Sequence, residues 1–489
     1  MNQHPPRSAP LTVVVIGNGM VGHRFCEKLT EFDSERRYRI VTFCEEPRAA
    51  YDRVGLTSFF AHRDAQQLML ARLDWYREQG IALHVGDRAA KIDRQAKVVH
   101  SDQGRKVPYD IVVLATGSFP FVPPVPGIKN RGVFVYRTIE DLEHIIAYSE
   151  HAKRAAVIGG GLLGLEAAKA AYDLGLQTHV VEFAPRLMPR QIDDAGSKIL
   201  VQKIESLGVK VHLNKGTKEV LGDHGVSGLL FNDGEKLDVE MVIVSAGIRP
   251  RDDLARQSDL MVGERGGVIV DHLLRTSDPD VYAIGECALH GGMIYGLVAP
   301  GYTMAEIVAR NLTQQETAIF GGADMSTKLK LMGIDVASFG DYEAKPEMAQ
   351  PLSFENPFSG VYKKLLFSHD GKRLLGGVLV GDASDYSNLL MLSKSSDPLP
   401  CAPGDLIVGQ TGVQAITPKL SPETQVCSCN NVSQGTLCSA IKDQGLTTLA
   451  EVKQCTRAGT GCGGCIPLVT TILNTELAAA GKKVNRSLC

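Results

Sequence analysis

Residues 157–183, VIGGGLLGLEAAKAAYDLGLQTHVVEF, decide the fold. The stretch reads as strand, glycine turn, helix, strand. Gly159, Gly161 and Gly164 stand as G-x-G-x-x-G directly after the apolar run Ala155–Ile158, a helical pattern follows through Leu174, and a second apolar strand ends on Glu182. The first glycine permits a tight turn, the second lets backbone approach a pyrophosphate, and the third lets helix and strand pack closely. The helix N-terminus adds partial positive charge for the phosphates. An acid about twenty residues on accepts hydrogen bonds from ribose hydroxyls. Glu182 holds that place, and its carboxylate favours NADH by repelling the 2′-phosphate of NADPH. Arg186 and Arg190 nearby leave NADPH admissible.

The chain has 489 residues, which fits about three domains. It is 44% apolar and 22% charged, an ordinary globular composition with material for a core. A formal charge of −3 gives no electrostatic case for nucleic acid or an anionic membrane. No apolar run has the length of a membrane span. The opening MNQHPPRSAPLT lacks the apolar segment of a signal peptide, so residues 1–10 are expected to be a disordered tail and the protein cytoplasmic. Of eleven Cys, seven stand singly and four form two tight pairs near the C-terminus.

Working outward, a second G-x-G-x-x-G (Gly17, Gly19, Gly22) follows an apolar strand Thr12–Ile16, and the next strand, Arg39–Cys44, is followed by Glu45. Two nicotinamide sites make little chemical sense, whereas one flavin site and one nicotinamide site make a relay. At this point the chain resembles the pyridine nucleotide–disulfide oxidoreductase superfamily of two-dinucleotide-domain flavoprotein reductases. Three more segments carry the resemblance: IVVLATGSFP at 111–120, with Thr116 and Gly117 near FAD; VIVSAGIRP at 242–250, with Gly247 closing the NAD domain; and DVYAIGECA at 280–288, the second FAD motif. There Gly285 precedes Glu286, where the family more often has Asp to bind the ribityl chain.

The resemblance implies an α/β fold of two Rossmann-like domains. The NAD domain (123–252) would be inserted in an FAD domain (11–122 and 253–322). A helix starting near Pro300 would aim its dipole at the flavin. A small α/β domain (323–400), often a dimerisation domain, makes a homodimer a possible assembly. Residues 51–60 contain no Cys, so thiol chemistry beside the flavin is not expected. Arg53 is the nearest cation there, facing either the flavin or its pyrophosphate, or simply pairing with Asp52 or Glu46.

The second strong signal is Cys427-Ser-Cys429, then 32 residues, then Cys462-Gly-Gly-Cys465. Four thiolates in two pairs suit a metal or cluster. Between them two short helices are expected over 433–456, with Cys438 and Cys455 as core thiols. The spacing resembles the bacterioferritin-associated-ferredoxin-like [2Fe–2S] domain, here 426–475, reached through a linker (401–425) and followed by a tail (476–489). A structural zinc site is the alternative, against which the C-x-C pair argues, and a redox disulfide pair is a further one.

Together these parts read as an electron wire from NADH through FAD to a [2Fe–2S] cluster. FCEEPRAAYDRV (43–54), VYRTIEDL (135–142), EFAPRLMPRQID (182–193), SAGIRPRDDLA (245–255) and AGTGCGGCIPLV (458–469) resemble the large subunits of assimilatory NAD(P)H-dependent nitrite reductases. Those continue into a sirohaem and [4Fe–4S] half. After Cys465 this sequence has only Cys489, so either it is a truncated or partial product, or it passes electrons to a separate partner, a sirohaem-containing half or small subunit. An electron-transfer subunit serving a nitrate reductase catalytic subunit, or an NADH–rubredoxin-type reductase, is the alternative. A non-enzymatic sensor of NADH or iron is a third. Hydride transfer needs no general acid or base, and no catalytic side chain is assigned.

Overall fold

A computed structural model of the chain describes residues 9–313, 317–395, 397–409, 422–427, 432–459 and 465–480. Its first strand, Leu11–Ile16, is flanked on both sides by parallel neighbours, which explains why Val13, Val14 and Val15 are all apolar and all buried. The sheet order is Val281–Ala283, Ile111–Leu114, Leu11–Ile16, Tyr38–Cys44, Ala82–Val85, all parallel. The helix Met20–Phe32 buries Gly22, His23, Phe25, Cys26 and Leu29, one face at helical spacing, and packs along the helix Val298–Thr313. The latter helix begins two residues before the expected Pro300. A three-stranded antiparallel sheet, Ala89–Asp93, Val98–Ser101 and Lys106–Pro108, completes this unit.

The chain divides into two units: residues 1–120 with 248–324, and residues 121–247 with 325–489. In the first unit, Ser118–Pro120 pairs antiparallel with Ile248–Pro250. The points at which the chain leaves this unit and returns to it therefore lie side by side, so an inserted segment need not disturb the sheet.

The second unit repeats the parallel architecture, in the order Lys210–His212, Gln177–Val181, Arg154–Ile158, Met241–Val244, Val133–Val135. It continues into an antiparallel sheet ordered Thr327–Leu331, Ile334–Gly340, Leu374–Val380, Val361–Phe367, Gln350–Asn356. The stretch expected as a linker from 401 contains a helix, Pro403–Val408, started by a proline whose missing N–H costs a first helical turn nothing; residues 410–421 lie outside the described residues.

Two short helices stand between the cysteine pairs, Gln434–Asp443 and Leu449–Thr456, followed by Ile466–Ala479. This last helix takes in the start of the expected tail, because Ile472, Leu473 and Leu477 still face the core of the module. Residues 1–8 and 481–489 lie outside the described residues.

Asp193 ties two parts of the second unit together. It caps the helix Asp194–Ser206 by accepting from the Gly196 N–H at 3.0 Å, accepts from the Tyr362 hydroxyl at 2.8 Å, and lies 3.1 Å from Lys364 Nζ. Asp193→Ala removes the cap and leaves Tyr362 without its acceptor. It is expected to destabilise this unit by about 2–4 kcal/mol in chemical denaturation, and Asp193→Asn, which keeps a capping oxygen, by clearly less.

Candidate functional site

Both fingerprints are built alike. Gly17 follows its strand at φ +105°, and a Cβ there would sit 2.3 Å from the Ala115 carbonyl oxygen. Gly159 repeats this at φ +119°, its Cβ 2.2 Å from the Ser245 oxygen. Only glycine takes these positions without strain. A Cβ on Gly22 would lie 2.0 Å from the Gly17 oxygen, and one on Gly164 1.9 Å from the Gly159 oxygen, so helix and turn touch through backbone.

Gly19 and Gly161 are different. Nothing lies within 4 Å of a Cβ on either, and each precedes a helix with no side-chain cap and no acid in its first turn. Elsewhere Thr138, Asp193, Ser433 and Thr448 cap their helices. The two glycine turns therefore leave open space and helix N-termini without a side-chain cap, where a diphosphate fits.

Around the first turn, Glu45 follows its strand and is ion-paired to Arg251. Thr116 Oγ1 donates to the Arg251 carbonyl at 2.7 Å, and Arg251 N–H donates to the Gly117 carbonyl at 2.9 Å. Glu286, in the turn Gly285–Cys287, accepts a 2.7 Å hydrogen bond from Ser118 Oγ. The extra methylene of Glu over Asp is thereby anchored by a hydroxyl from the neighbouring segment. Arg53 pairs with Glu46 and lies 4.8 Å from the centre of the Tyr51 ring, so the expected ion pair forms, and it does not exclude a place beside the flavin.

Around the second turn, both oxygens of Glu182 accept backbone N–H groups, from Gly160 at 2.6 Å and Ala184 at 2.7 Å. The acid is thus held against the glycine turn. Arg186 donates to Asp194 at 3.0 Å and to the Pro189 carbonyl at 3.2 Å, which commits the guanidinium that could otherwise greet a 2′-phosphate. Gly247 lies just beyond the strand Met241–Val244, with open space where its Cβ would be.

Cys427 and Cys465 share one buried cluster with Val426, Val432, Leu437 and Val469. Cys465 also sits at the N-terminus of the helix Ile466–Ala479. Cys429 and Cys462 lie outside the described residues. Cys438 is half-buried against the module core, and burial, then Glu476, pushes its thiol up to about 11, the behaviour of a packing thiol. Cys455 is exposed and donates to Gln444, which corrects its expected place in the core; its helix turns that position outward.

Three comparisons bear on these sites. Residues 11–316 match the pyridine nucleotide-disulphide oxidoreductase family, residues 326–396 the rubredoxin NAD+ reductase C-terminal domain, and residues 425–475 the BFD-like [2Fe-2S] binding domain. The nitrite reductase (NADH) large subunit of Escherichia coli (strain K12) is 49% identical over 98% of this chain and 57% of its own length. The assimilatory nitrate reductase electron transfer subunit of Bacillus subtilis (strain 168) is 35% identical over 94% of this chain and 59% of its own. Among solved structures, a ferredoxin reductase of Rhodopseudomonas palustris superposes with a TM-score of 0.69 at 26% identity, over 77% of this chain and 92% of that one. The chain spans little more than half the length of the first of these relatives.

The chain belongs to the pyridine nucleotide-disulphide oxidoreductase family and carries a BFD-like [2Fe–2S] module. It is an NAD(P)H-dependent FAD oxidoreductase, with FAD, NAD(P)H and a [2Fe–2S] cluster as its cofactors.

Sequence reasoning passed over Glu166, one turn into the helix Leu162–Asp173. Burial pushes its carboxyl up from 4.5 to about 7. The folded chain then binds more protons than the unfolded chain between those values, so this group's contribution to stability falls as pH rises through that window. Glu166→Gln is expected to raise stability at pH 8 by roughly 1–3 kcal/mol and to leave it unchanged below pH ~4.5, read from denaturation midpoints across pH.

Proposed function

We propose that this chain is the NADH-oxidising part of an assimilatory nitrite reductase, passing electrons from NADH through FAD and a [2Fe–2S] cluster to a sirohaem-containing half or subunit. The observation that carries this reading is the likeness to nitrite reductase large subunits over nearly the whole chain, across both glycine turns and the cysteine module.

Bound FAD and cluster would supply the conversion of a two-electron hydride donor into single electrons. The residues of the chain bind and orient. Gly17, Gly19 and Gly22 would receive the FAD diphosphate on the first turn of Met20–Phe32, with Glu45 at the ribose and Thr116, Gly117 and Gly285 shaping the cradle. Ser118 would hold Glu286 towards the ribityl hydroxyls. Arg53 would stand beside the flavin with its charge balanced by Glu46. Gly159, Gly161 and Gly164 would receive the NADH diphosphate, Gly247 would leave room above it, and Glu182 would accept from the adenosine ribose. Cys427, Cys429, Cys462 and Cys465 would hold the cluster, with Cys465 at the start of its helix.

The FAD part would comprise residues 11–122 and 253–322, with residues 123–252 as the NAD part. Among the described residues no helix is long and apolar enough to cross a membrane, and we place the enzyme in the cytoplasm. A second reading has its own support. The similarity to the Bacillus subtilis subunit extends over almost as much of the chain, and on that reading the acceptor is a nitrate reductase catalytic subunit.

The acceptor is tested by reconstitution. With NADH, the chain alone should reduce ferricyanide but not nitrite, and should reduce nitrite once the sirohaem protein of the same organism is added. Nitrate reduction with the molybdopterin protein, and none of nitrite with the sirohaem protein, would select the second reading. Glu182→Ala should lower the ratio of kcat/KM for NADH over NADPH by about tenfold or more. An unchanged ratio would remove Glu182 from the ribose.

A further inference from the structure

Asn18, the second residue of the first fingerprint, turns its side chain away from the open face of the glycine turn. It is 4% exposed, and its Nδ2 and Oδ1 lie 3.1 and 3.2 Å from the hydroxyl oxygen of Tyr76. Tyr76, from the helix Leu73–Glu78, is itself 1% exposed. The same hydroxyl lies 2.8 Å from His23 Nδ1, on the first turns of Met20–Phe32, and also engages the backbone of Ala50. Trp75 packs edge-on at 4.9 Å from both the His23 and the Tyr76 rings. It is the chain's single Trp.

The Tyr76 hydroxyl therefore meets three polar atoms, His23 Nδ1 and both ends of the Asn18 carboxamide, while His23 Nε2 lies 3.6 Å from the Glu27 carboxylate, beyond hydrogen-bond distance. A phenol with these partners restrains the carboxamide that it receives. Asn18 sits between Gly17, whose backbone only glycine tolerates, and Gly19, which precedes the uncapped helix. Fixing Asn18 therefore fixes how the first-turn N–H groups are presented. Through Ala50 the same hydroxyl reaches the segment that follows Glu45.

We propose that Tyr76 is a positioning residue for the FAD diphosphate: through Asn18 it holds the Gly17–Gly19 turn in its receiving conformation before the cofactor arrives. This rests on the reading of the first fingerprint as the FAD site. The contribution is preorganisation, because an ordered turn does not have to be ordered at the moment of binding.

The test uses the full chain freed of flavin and titrated with FAD, following quenching of Trp75 emission. Tyr76→Phe removes one oxygen and should raise the Kd for FAD about tenfold. Asn18→Ala should do the same, and the double variant should be no weaker than the weaker single one, because both act through one link. The Kd for NADH should stay within twofold, and at saturating FAD the ferricyanide rate with NADH should return to that of the unaltered chain. If Tyr76→Phe fails to fold, Asn18→Ala carries the same expectation. A Kd for FAD unchanged within twofold in the folded variants, or effects that multiply in the double variant, overturns the inference while leaving the FAD site in place. Failure of the unaltered chain to bind FAD overturns both.

Discussion

The structure depends on a contact that no side chain can make. At Gly22 and Gly164 a helix touches the turn that precedes it so closely that a Cβ would lie only 2.0 and 1.9 Å from the carbonyl oxygen it meets. This approach brings the N-terminus of each helix over the end of its parallel strand. It leaves the first-turn N–H groups facing open space rather than a capping side chain. A diphosphate is what such a place accepts, since it supplies the missing acceptors and sits at the positive end of the dipole. The same backbone constraint appears twice in one chain, and the relay reading starts from that repetition.

Around each turn the chain has committed its charged and polar groups in different ways. Near the second turn, Glu182 is fixed by two backbone N–H groups and Arg186 donates to Asp194. Near the first turn, Asn18, Tyr76 and His23 form a buried polar network joined through the Tyr76 hydroxyl. Ser118 meets Glu286 in the adjoining segment. The adjacent pairing of Ser118–Pro120 with Ile248–Pro250 lets a second dinucleotide domain be inserted without loosening this frame.

Much of this was legible in the sequence because backbone requirements leave a glycine signature. Gly17, Gly22, Gly159 and Gly164 are fixed by sterics, and the apolar runs around them are strands buried on both faces. The two helices between the cysteine pairs could be read from periodicity, and both end near their expected limits. Contacts between residues far apart in sequence were not legible. Nothing in the pattern ties Tyr76 to Asn18, Ser118 to Glu286 or Arg251 to Glu45, since each pairing depends on how separate segments meet. Cys455 shows the reverse limit: a residue type suggests several places, and only packing chooses among them. Glu166 was missed because a single acid on an alanine-rich helix looks like a surface residue until its surroundings are known.

The central claim is that electrons entering from NADH reach a cluster on the cysteine module. It is tested most directly by anaerobic visible and EPR spectra of the purified chain before and after stoichiometric NADH. The account predicts a bleached flavin band together with a rhombic low-temperature signal of a reduced [2Fe–2S] cluster. A bleached flavin with no iron signal, and zinc found in the protein by metal analysis, would contradict it.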